Sequence, residues 1–403
     1  MRAANALGRA QAALGRPRPS LDEQALLAAA RRRTGLEDFG DPRFREPLAI
    51  FLRALDEEAE LSLVGRWLAH HEVRTWLENR LEIEETFRRH PEIANEAIPR
   101  PLFVTGSGRS GTSILHELLA QDPRNRVLRS WEALHPCPPP ERGSCDRDPR
   151  IRRAEREVRL WARIAPIYET MHENGARLPQ ECIYLTAHEF ASDLLSGSYR
   201  VPSYAAWLAR ADLRPAYRYH RRCLQLLQWR CRGSRWALKA PSHLWALDAL
   251  LDVYPDARIV WTHRDPLAVV ASMTSLMTTL LWLRSDRVDA AAVGQGAVRS
   301  IGFMLKRAMA LRDAAGLGPD RICDVRYQDL LADPIAAVAR VYAHFEIPLH
   351  ADAEARMRAY LAARPRQRHG AHGWRFDWTG LDADEARRRF APYRERFGVP
   401  AEL

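Results

Sequence analysis

Thr105-Gly106-Ser107-Gly108-Arg109-Ser110-Gly111-Thr112-Ser113 is the stretch on which the reading of the fold turns. It follows the short apolar run Pro101–Val104 and leads into Ile114–Ala120, where apolar residues recur at helical spacing. The pattern is a strand, a tight turn and a helix start. Glycines let the backbone turn without a Cβ clash, so several N–H groups can point at one anion. A helix opening at Thr112 or Ser113 adds unpaired N–H groups and a partial positive charge. The stretch reads as a phosphate cradle, with a purely structural Gly/Ser turn as the competing reading. A nucleoside-triphosphatase loop has the form G-x-x-x-x-G-K-[ST]. The spacing from Gly106 to Gly111 fits that form, but Thr112 stands where the lysine belongs and the cation is Arg109, inside the loop. The cradle therefore suits a single terminal phosphate better than a triphosphate with magnesium.

Downstream, strand and helix signals alternate. Arg235–Pro241 and Ala257–Arg264 read as strands, the first followed by a helix that Ser242 caps, through about Val253. The second is followed by Asp265-Pro266 and a helix over Leu267–Leu280. Arg321–Tyr327 reads as a further strand before a helix over Pro334–Phe345. Such alternation predicts an α/β fold with a mainly parallel, P-loop-like sheet flanked by helices. Ligands of these sheets sit beyond the strand C-terminal ends, where Gly106–Ser113, Lys239 and Arg264 all fall. Upstream lies an all-α leader. Residues 1–20 read as a flexible N-terminus, and 21–98 as helices packed on the core. Ser20 and Glu23 form a capping box for a helix over Leu21–Arg33, and Leu48, Leu52 and Leu55 recur at helical spacing. Residues 99–403 form the α/β unit, with a helical insertion over about 150–232. Aromatics of that insertion, among them Tyr168, Tyr184, Tyr204 and Tyr217, either pack the core or line an apolar acceptor pocket. The basic, turn-rich stretch Arg364–Trp378, with Arg366, Arg368, His369, Gly370, His372 and Gly373, reads as a flap over an anion or as a solvated loop.

Composition narrows the classes. At 403 residues, 46% hydrophobic and 28% charged, the chain can bury a large core. No window approaches about 18 uninterrupted apolar residues, so no membrane span is expected. Met1–Arg16 lacks the apolar core of a secretory signal. The six cysteines are scattered without a Cys-x-x-Cys pair, which points to a reducing cytoplasm and away from a metal cluster. The formal charge is +10, yet all the basic Lys and Arg residues except Lys239 and Lys306 are arginine. They are spread among acids, a pattern of base composition rather than of nucleic-acid binding. Oligomeric state is not legible.

These residues resemble a known family. The cradle Gly106–Ser113, the segment Lys239-Ala240-Pro241-Ser242-His243, and Thr262-His263-Arg264-Asp265-Pro266 reaching to Ser272 are similar to the PAPS-dependent sulfotransferases. The nearest likeness is to a bacterial branch with a Pro-Arg-Ser-Gly-Thr-Thr loop, related to the tyrosylprotein sulfotransferases. The resemblance spans roughly residues 100–350. It implies a sulfonate transfer from PAPS to a hydroxyl or amine of a small-molecule acceptor, with PAP released and no metal. By position, the backbone of Gly106, Ser107, Gly108, Arg109, Ser110 and Gly111, with the hydroxyls of Thr112 and Ser113, would hold the 5′-phosphate. Arg264 and Ser272 match the family's 3′-phosphate pair, and Tyr327 a tyrosine near the adenine. Gly108 and Ser113 depart from that loop: glycine loosens it, and serine keeps the hydroxyl.

Sulfonate transfer depends on in-line positioning and on stabilising charge at the leaving bridge oxygen. Arg109 and Lys239 are the cations expected there. A base must also take the acceptor's proton. Glu132 is the first candidate, since the tyrosylprotein enzymes place a glutamate near this position. His243 is its rival and His135 the third, while Glu132 as a helix-capping or ion-paired acid is the plainer reading. Two other classes stand beside this one: a P-loop nucleotide kinase or NTPase, and a non-catalytic nucleotide-binding protein.

Overall fold

Leu102–Gly106 forms the middle strand, β1, of a five-stranded sheet. The other strands are β2 (Asn125–Arg126), β3 (Arg235–Lys239), β4 (Arg258–His263) and β5 (Ile322–Arg326), in spatial order β2-β3-β1-β4-β5. The computed structural model describes residues 18–164, 166–171, 173–364, 373 and 375–403. Every strand pair is parallel; Leu102 pairs with Ala237 on one side and with Arg258 on the other. β1 is buried throughout, and β3 and β4 in all but their first residue. A parallel sheet covered on both faces has no water-facing side, which is why these strands are continuous apolar runs.

Four of the five strands lie where the sequence puts them. β2 was not anticipated, because its two residues carry no apolar signal. Its place is fixed by a buried carboxylate instead: Asp122, fully enclosed, accepts from Arg124 at 3.0 Å, Arg235 at 2.9 Å and the Tyr342 hydroxyl at 2.9 Å. That cluster ties the β2 turn to the edge of β3.

The leader folds as helices Glu23–Thr34, Arg45–Glu57 and Leu63–Arg89. The first starts at Asp22, not at Ser20: Asp22 caps it by accepting the Ala25 N–H at 2.8 Å, and Ser20 accepts the Asp22 N–H one step earlier. Glu23 turns away from any capping box to pair with Arg45 at 2.7 Å. Leu26, Phe51 and Leu77 of the leader share one apolar cluster with Phe103 and Trp261 of the sheet. Arg80, wholly buried, fastens leader to insertion by donating to the carbonyls of Phe39, Asp41 and His188 and to Glu189. In the insertion, Tyr204 and Tyr217 are core, whereas Tyr168 and Tyr184 face the central cavity.

Two further expectations are corrected or lie out of reach. Ser242 does not cap the helix after β3. Pro241–Leu244 is a short 3-10 turn and the helix proper is Leu247–Val253, because Pro241 sets the first turn and leaves Ser242 inside it. Residues 1–17 of the N-terminus and Arg366, Arg368, His369, Gly370 and His372 of the basic stretch lie outside the described residues. Among the described residues, no helix is long and apolar enough to cross a membrane.

Candidate active site

Because β1 is central, its C-terminal end opens in the middle of the sheet's upper edge, and the cradle follows directly. Gly106 has φ +149°, and a Cβ there would lie 2.3 Å from Thr262 Oγ1, so the approach of β1 to β4 admits only glycine. The Ser110 N–H and hydroxyl both donate to the Ser107 carbonyl, at 3.2 and 2.5 Å, and the same hydroxyl meets Thr262 Oγ1 at 2.7 Å. Ser107 and Ser110 are buried and shape the loop from within, as does Gly106; none of the three reaches the cavity. Gly111 has φ +90° and directly precedes the helix Thr112–Leu119. A Cβ on it would sit 2.9 Å from the Tyr327 ring. Gly108, Arg109, Gly111, Thr112 and Ser113 are the cradle residues that line the cavity. The first-turn N–H groups of the helix point the same way, since helix geometry gives them no partner.

Arg264, Ser272 and Tyr327 converge on this loop. Arg264 Nη1 donates to the Arg109 carbonyl at 2.8 Å, and its guanidinium lies 4.3 Å from the centre of the Tyr327 ring. Arg109 Nε donates to Ser272 Oγ at 3.0 Å, and a second nitrogen donates to the Met171 carbonyl. Burial, and then the Arg264 guanidinium, pull Arg109 below the usual arginine range. Two guanidiniums at close quarters call for an anion. One is present that the sequence did not announce: the Glu402 carboxylate accepts from Arg264 Nε at 3.0 Å and from Nη2 at 2.8 Å. Asp265 holds Glu402 there by accepting its N–H at 2.8 Å, while also capping the helix Pro266–Trp282. Ser272 itself is buried and reaches the cavity only through Arg109.

The acid–base candidates divide sharply. Glu132 does not reach the cavity. It is buried on the short helix Ser130–Leu134, its two oxygens gripped by Arg126, and it accepts the Arg129 N–H at 2.9 Å. It is the capping, ion-paired acid of the plainer reading. His243 also misses the cavity: it packs edge-on against Phe103 beneath β1 and bonds the Tyr217 hydroxyl at 2.7 Å through Nδ1. Burial drives its pKa far down, with His220 and Lys239 adding to the effect, so it stays neutral. His135 lines the cavity but pairs with Glu157 at 3.0 Å.

The acid that meets Lys239 at the cavity wall is Glu181. Its carboxylate accepts from Lys239 Nζ at 2.5 Å, and the same ammonium lies 3.4 Å from Ser113 Oγ on the cradle helix. Glu181 and Ser113 line the cavity, with Lys239 buried behind them. The insertion delivers Glu181 by crossing the sheet edge: the Gln180 N–H donates to the Leu128 carbonyl at 2.7 Å and the Cys182 N–H to the Lys239 carbonyl at 2.8 Å. Other acids line the wall, among them Glu72, Glu117, Glu157 and Asp193. Burial pushes Asp193 up to about 6, and raises Glu117, which accepts from the Tyr360 hydroxyl at 2.7 Å. The cradle, Arg109, Arg264, Glu181 and a long wall of mixed apolar and charged side chains share one cavity of about 1770 Å³.

The chain matches the family model described as "Sulfotransferase family" over residues 101–352. It superposes on the crystal structure of sulfotransferase STF1 from Mycobacterium tuberculosis H37Rv with a TM-score of 0.83 and 34% identity, over 93% of this chain and 100% of that one. Against sulfotransferase STF9 from Mycobacterium avium the TM-score is 0.86 at 29% identity, over 95% of this chain and 98% of that one. A curated relative from Mycobacterium bovis, named omega-hydroxy-beta-dihydromenaquinone-9 sulfotransferase Stf3, is 25% identical over 282 residues. That match covers 65% of this chain and 66% of the relative, just under two thirds of its length.

Proposed function

This chain belongs to the sulfotransferase family, and from that premise we propose that it moves a sulfonate group from PAPS to a hydroxyl or amine of a small-molecule acceptor, releasing PAP. The observation that carries the proposal is the contact between Arg264 and the Arg109 carbonyl. It sets two anion-binding elements, distant in sequence, close enough to serve one nucleotide. The residues suit such a ligand. The cradle's first-turn N–H groups and the Thr112 and Ser113 hydroxyls are donors for the 5′-phosphate. Arg264 is the fork for the 3′-phosphate, and Glu402 marks where an anion is held. Tyr327, beside Gly111 and beneath Arg264, is the surface for the adenine.

PAPS supplies the activated sulfonate; the rest falls to the chain. Arg109 and Lys239 hold positive charge where the leaving bridge oxygen becomes anionic, in a site shielded from water. Ser272 keeps Arg109 in register. Glu181 takes the acceptor's proton on its carboxylate, a role in which Glu132 cannot act from its buried pair with Arg126. Lys239, touching both Glu181 and Ser113, links proton removal to phosphate binding. The kinase reading lacks support: Thr112 holds the lysine position, and Lys239 enters from the neighbouring strand. All six cysteines are free thiols, which favours a cytoplasmic setting.

The test is a thermal shift with PAP, followed by transfer of labelled sulfate from PAPS into a cell extract. Stabilisation by PAP and a labelled product are expected. ATP hydrolysis without PAP binding would overturn the proposal in favour of a nucleotidase.

A further inference from the structure

Two segments of chain meet on the wall that carries Glu181, and each supplies one half of two pairs. The Cys182 N–H donates to the Lys239 carbonyl at 2.8 Å, which sets Glu181 on Lys239. Further along the same two segments, Asp193 Oδ2 accepts from Trp245 Nε1 at 3.1 Å. The chain between the two acids is closed on itself. The Ser192 hydroxyl donates to the Ile183 carbonyl at 2.6 Å, and the Thr186 hydroxyl to Ser192 Oγ at 3.0 Å. Asp193 is thereby brought back beside the residues that follow Glu181, and both carboxylates line the cavity, as does Trp245.

The two pairs differ in charge. Glu181 has a cation for a partner. Elsewhere on the cavity wall Glu60 pairs with Arg200, Glu72 with Arg284, Glu157 with Arg153 and Glu173 with Arg364. Among the described residues no lysine, arginine or histidine pairs with Asp193. Its indole partner is neutral, and the first turn of its own six-residue helix, Asp193–Ser198, supplies only a partial charge. Burial pushes its carboxyl up to about 6; the Trp245 bond opposes the rise and the Glu181 charge adds to it. At neutral pH the group is still ionised. A half-buried carboxylate without a counter-charge is costly, and a cation from outside removes the cost. An ammonium suits the place, since the carboxylate offers charge and the Trp245 indole an aromatic surface beside it.

Building on the sulfotransferase reading above, we propose that Asp193 binds a protonated amine of the acceptor while the acceptor's hydroxyl lies at Glu181. The acceptor is then an amino alcohol, sulfonated on oxygen. Charge sets its direction: Lys239 already neutralises Glu181, so the ammonium is drawn to Asp193 instead. An amine held protonated has no lone pair with which to attack sulfur. The hydroxyl oxygen attacks the sulfonate sulfur as the bond to the bridge oxygen breaks. PAP leaves with that electron pair, the hydroxyl proton passes to Glu181, and the ammonium keeps its own proton.

Calorimetry on the full chain saturated with PAP tests this with 6-aminohexan-1-ol and heptan-1-ol, which differ by an ammonium against a methyl at one end. A charged hydrogen bond is worth roughly ten- to a hundredfold in affinity, and a buried methyl about three- to fourfold. The amino alcohol should therefore bind the parent chain at least about threefold more tightly than heptan-1-ol. Asp193→Asn, which keeps an acceptor for Trp245, should reverse that order, with heptan-1-ol binding and the thermal shift with PAP both kept. Labelled sulfonate from PAPS should enter 6-aminohexan-1-ol as an ester whose amine still reacts with fluorescamine. A preference for heptan-1-ol in the parent, an amino-alcohol preference that survives Asp193→Asn, or a variant that loses both alcohols alike overturns the ammonium assignment and leaves the nucleotide reading standing. So does a sulfamate product, or no product where heptan-1-ol is sulfonated. Loss of the PAP shift in the parent chain overturns the nucleotide reading itself.

Discussion

At the nucleotide end of the cavity, Arg109, Arg264, Ser272 and Glu402 already hold one another by directed bonds of 2.8–3.0 Å. Further along the same cavity, Leu276, Met277 and Leu280 are half-buried apolar side chains on its wall. The first end is preorganised: its guanidiniums are already fixed by directed bonds, though Glu402 occupies Arg264. The second is adaptable, since methionine and leucine side chains fit many hydrocarbon shapes at small cost. Directed polar bonds at one end and half-buried apolar side chains further along mean that the two regions respond to different changes. Changes at the two ends should therefore separate cleanly in experiment.

The sharpest division is between two glutamates. Glu181→Gln should lower kcat by a factor on the order of 10²–10⁴ and leave PAP affinity unchanged, the signature of a lost base. Glu132→Ala should do the reverse. It strands the buried Arg126 and costs about 3–5 kcal/mol of stability in chemical denaturation, with turnover kept at low temperature. Were Glu132→Ala fully folded and inactive, and Glu181→Gln active, the assignment would be inverted.

Next in size, Arg264→Ala should weaken PAP binding by about 1.5–3 kcal/mol in calorimetry, the worth of charged hydrogen bonds.

Acid should loosen the nucleotide end. Burial holds His116, on the inner face of the cradle helix, at about 3, and His220, against Phe103 of β1, also at about 3, against an ordinary value of 6.5; His243 is lowered as well. These groups are neutral when folded and take up protons when unfolded. Their contribution is complete above pH 6.5 and is lost as pH falls below it, at about 1.4 kcal/mol per group for each pH unit. Denaturation midpoints at pH 7.5 and 5.5 check the slope; equal midpoints would show that these rings are protonated in the fold. The smallest effect concerns Glu402. Glu402→Gln removes a carboxylate that competes for Arg264, and should tighten PAP binding by roughly three- to tenfold. Weaker binding instead would make Glu402 a support for Arg264 rather than a competitor.

Legibility in the sequence followed the range of the interactions involved. The cradle could be read because Gly106, Arg109 and Gly111 sit within one turn, and glycine at positive φ leaves a local mark. Arg264 and Ser272 flank one strand-to-helix turn, eight residues apart, so their nearness to the loop was a local matter; that Ser272 meets Arg109 and not the cavity was not. The base could not. Glu132 and Glu181 are both single acids beside arginines and prolines, and only the crossing of residues 180–182 over the end of β3 brings one of them to Lys239. Glu402 was equally silent, being joined to Arg264 across 138 positions. Gly108 read as a loosened cradle residue; an added Cβ there meets only the flexible Met273 side chain.

By itself the sequence determined the parallel α/β sheet, the glycine-rich turn at its centre and the end of the strands at which that turn lies. These follow from apolar periodicity, glycine geometry and helix starts, which act over a few residues. Tertiary structure alone decided which carboxylate meets Lys239, what anion rests on Arg264 and how large a cavity the insertion and the late helices enclose. Those are sums over surfaces that meet only once the chain has packed, and no short window of sequence contains them.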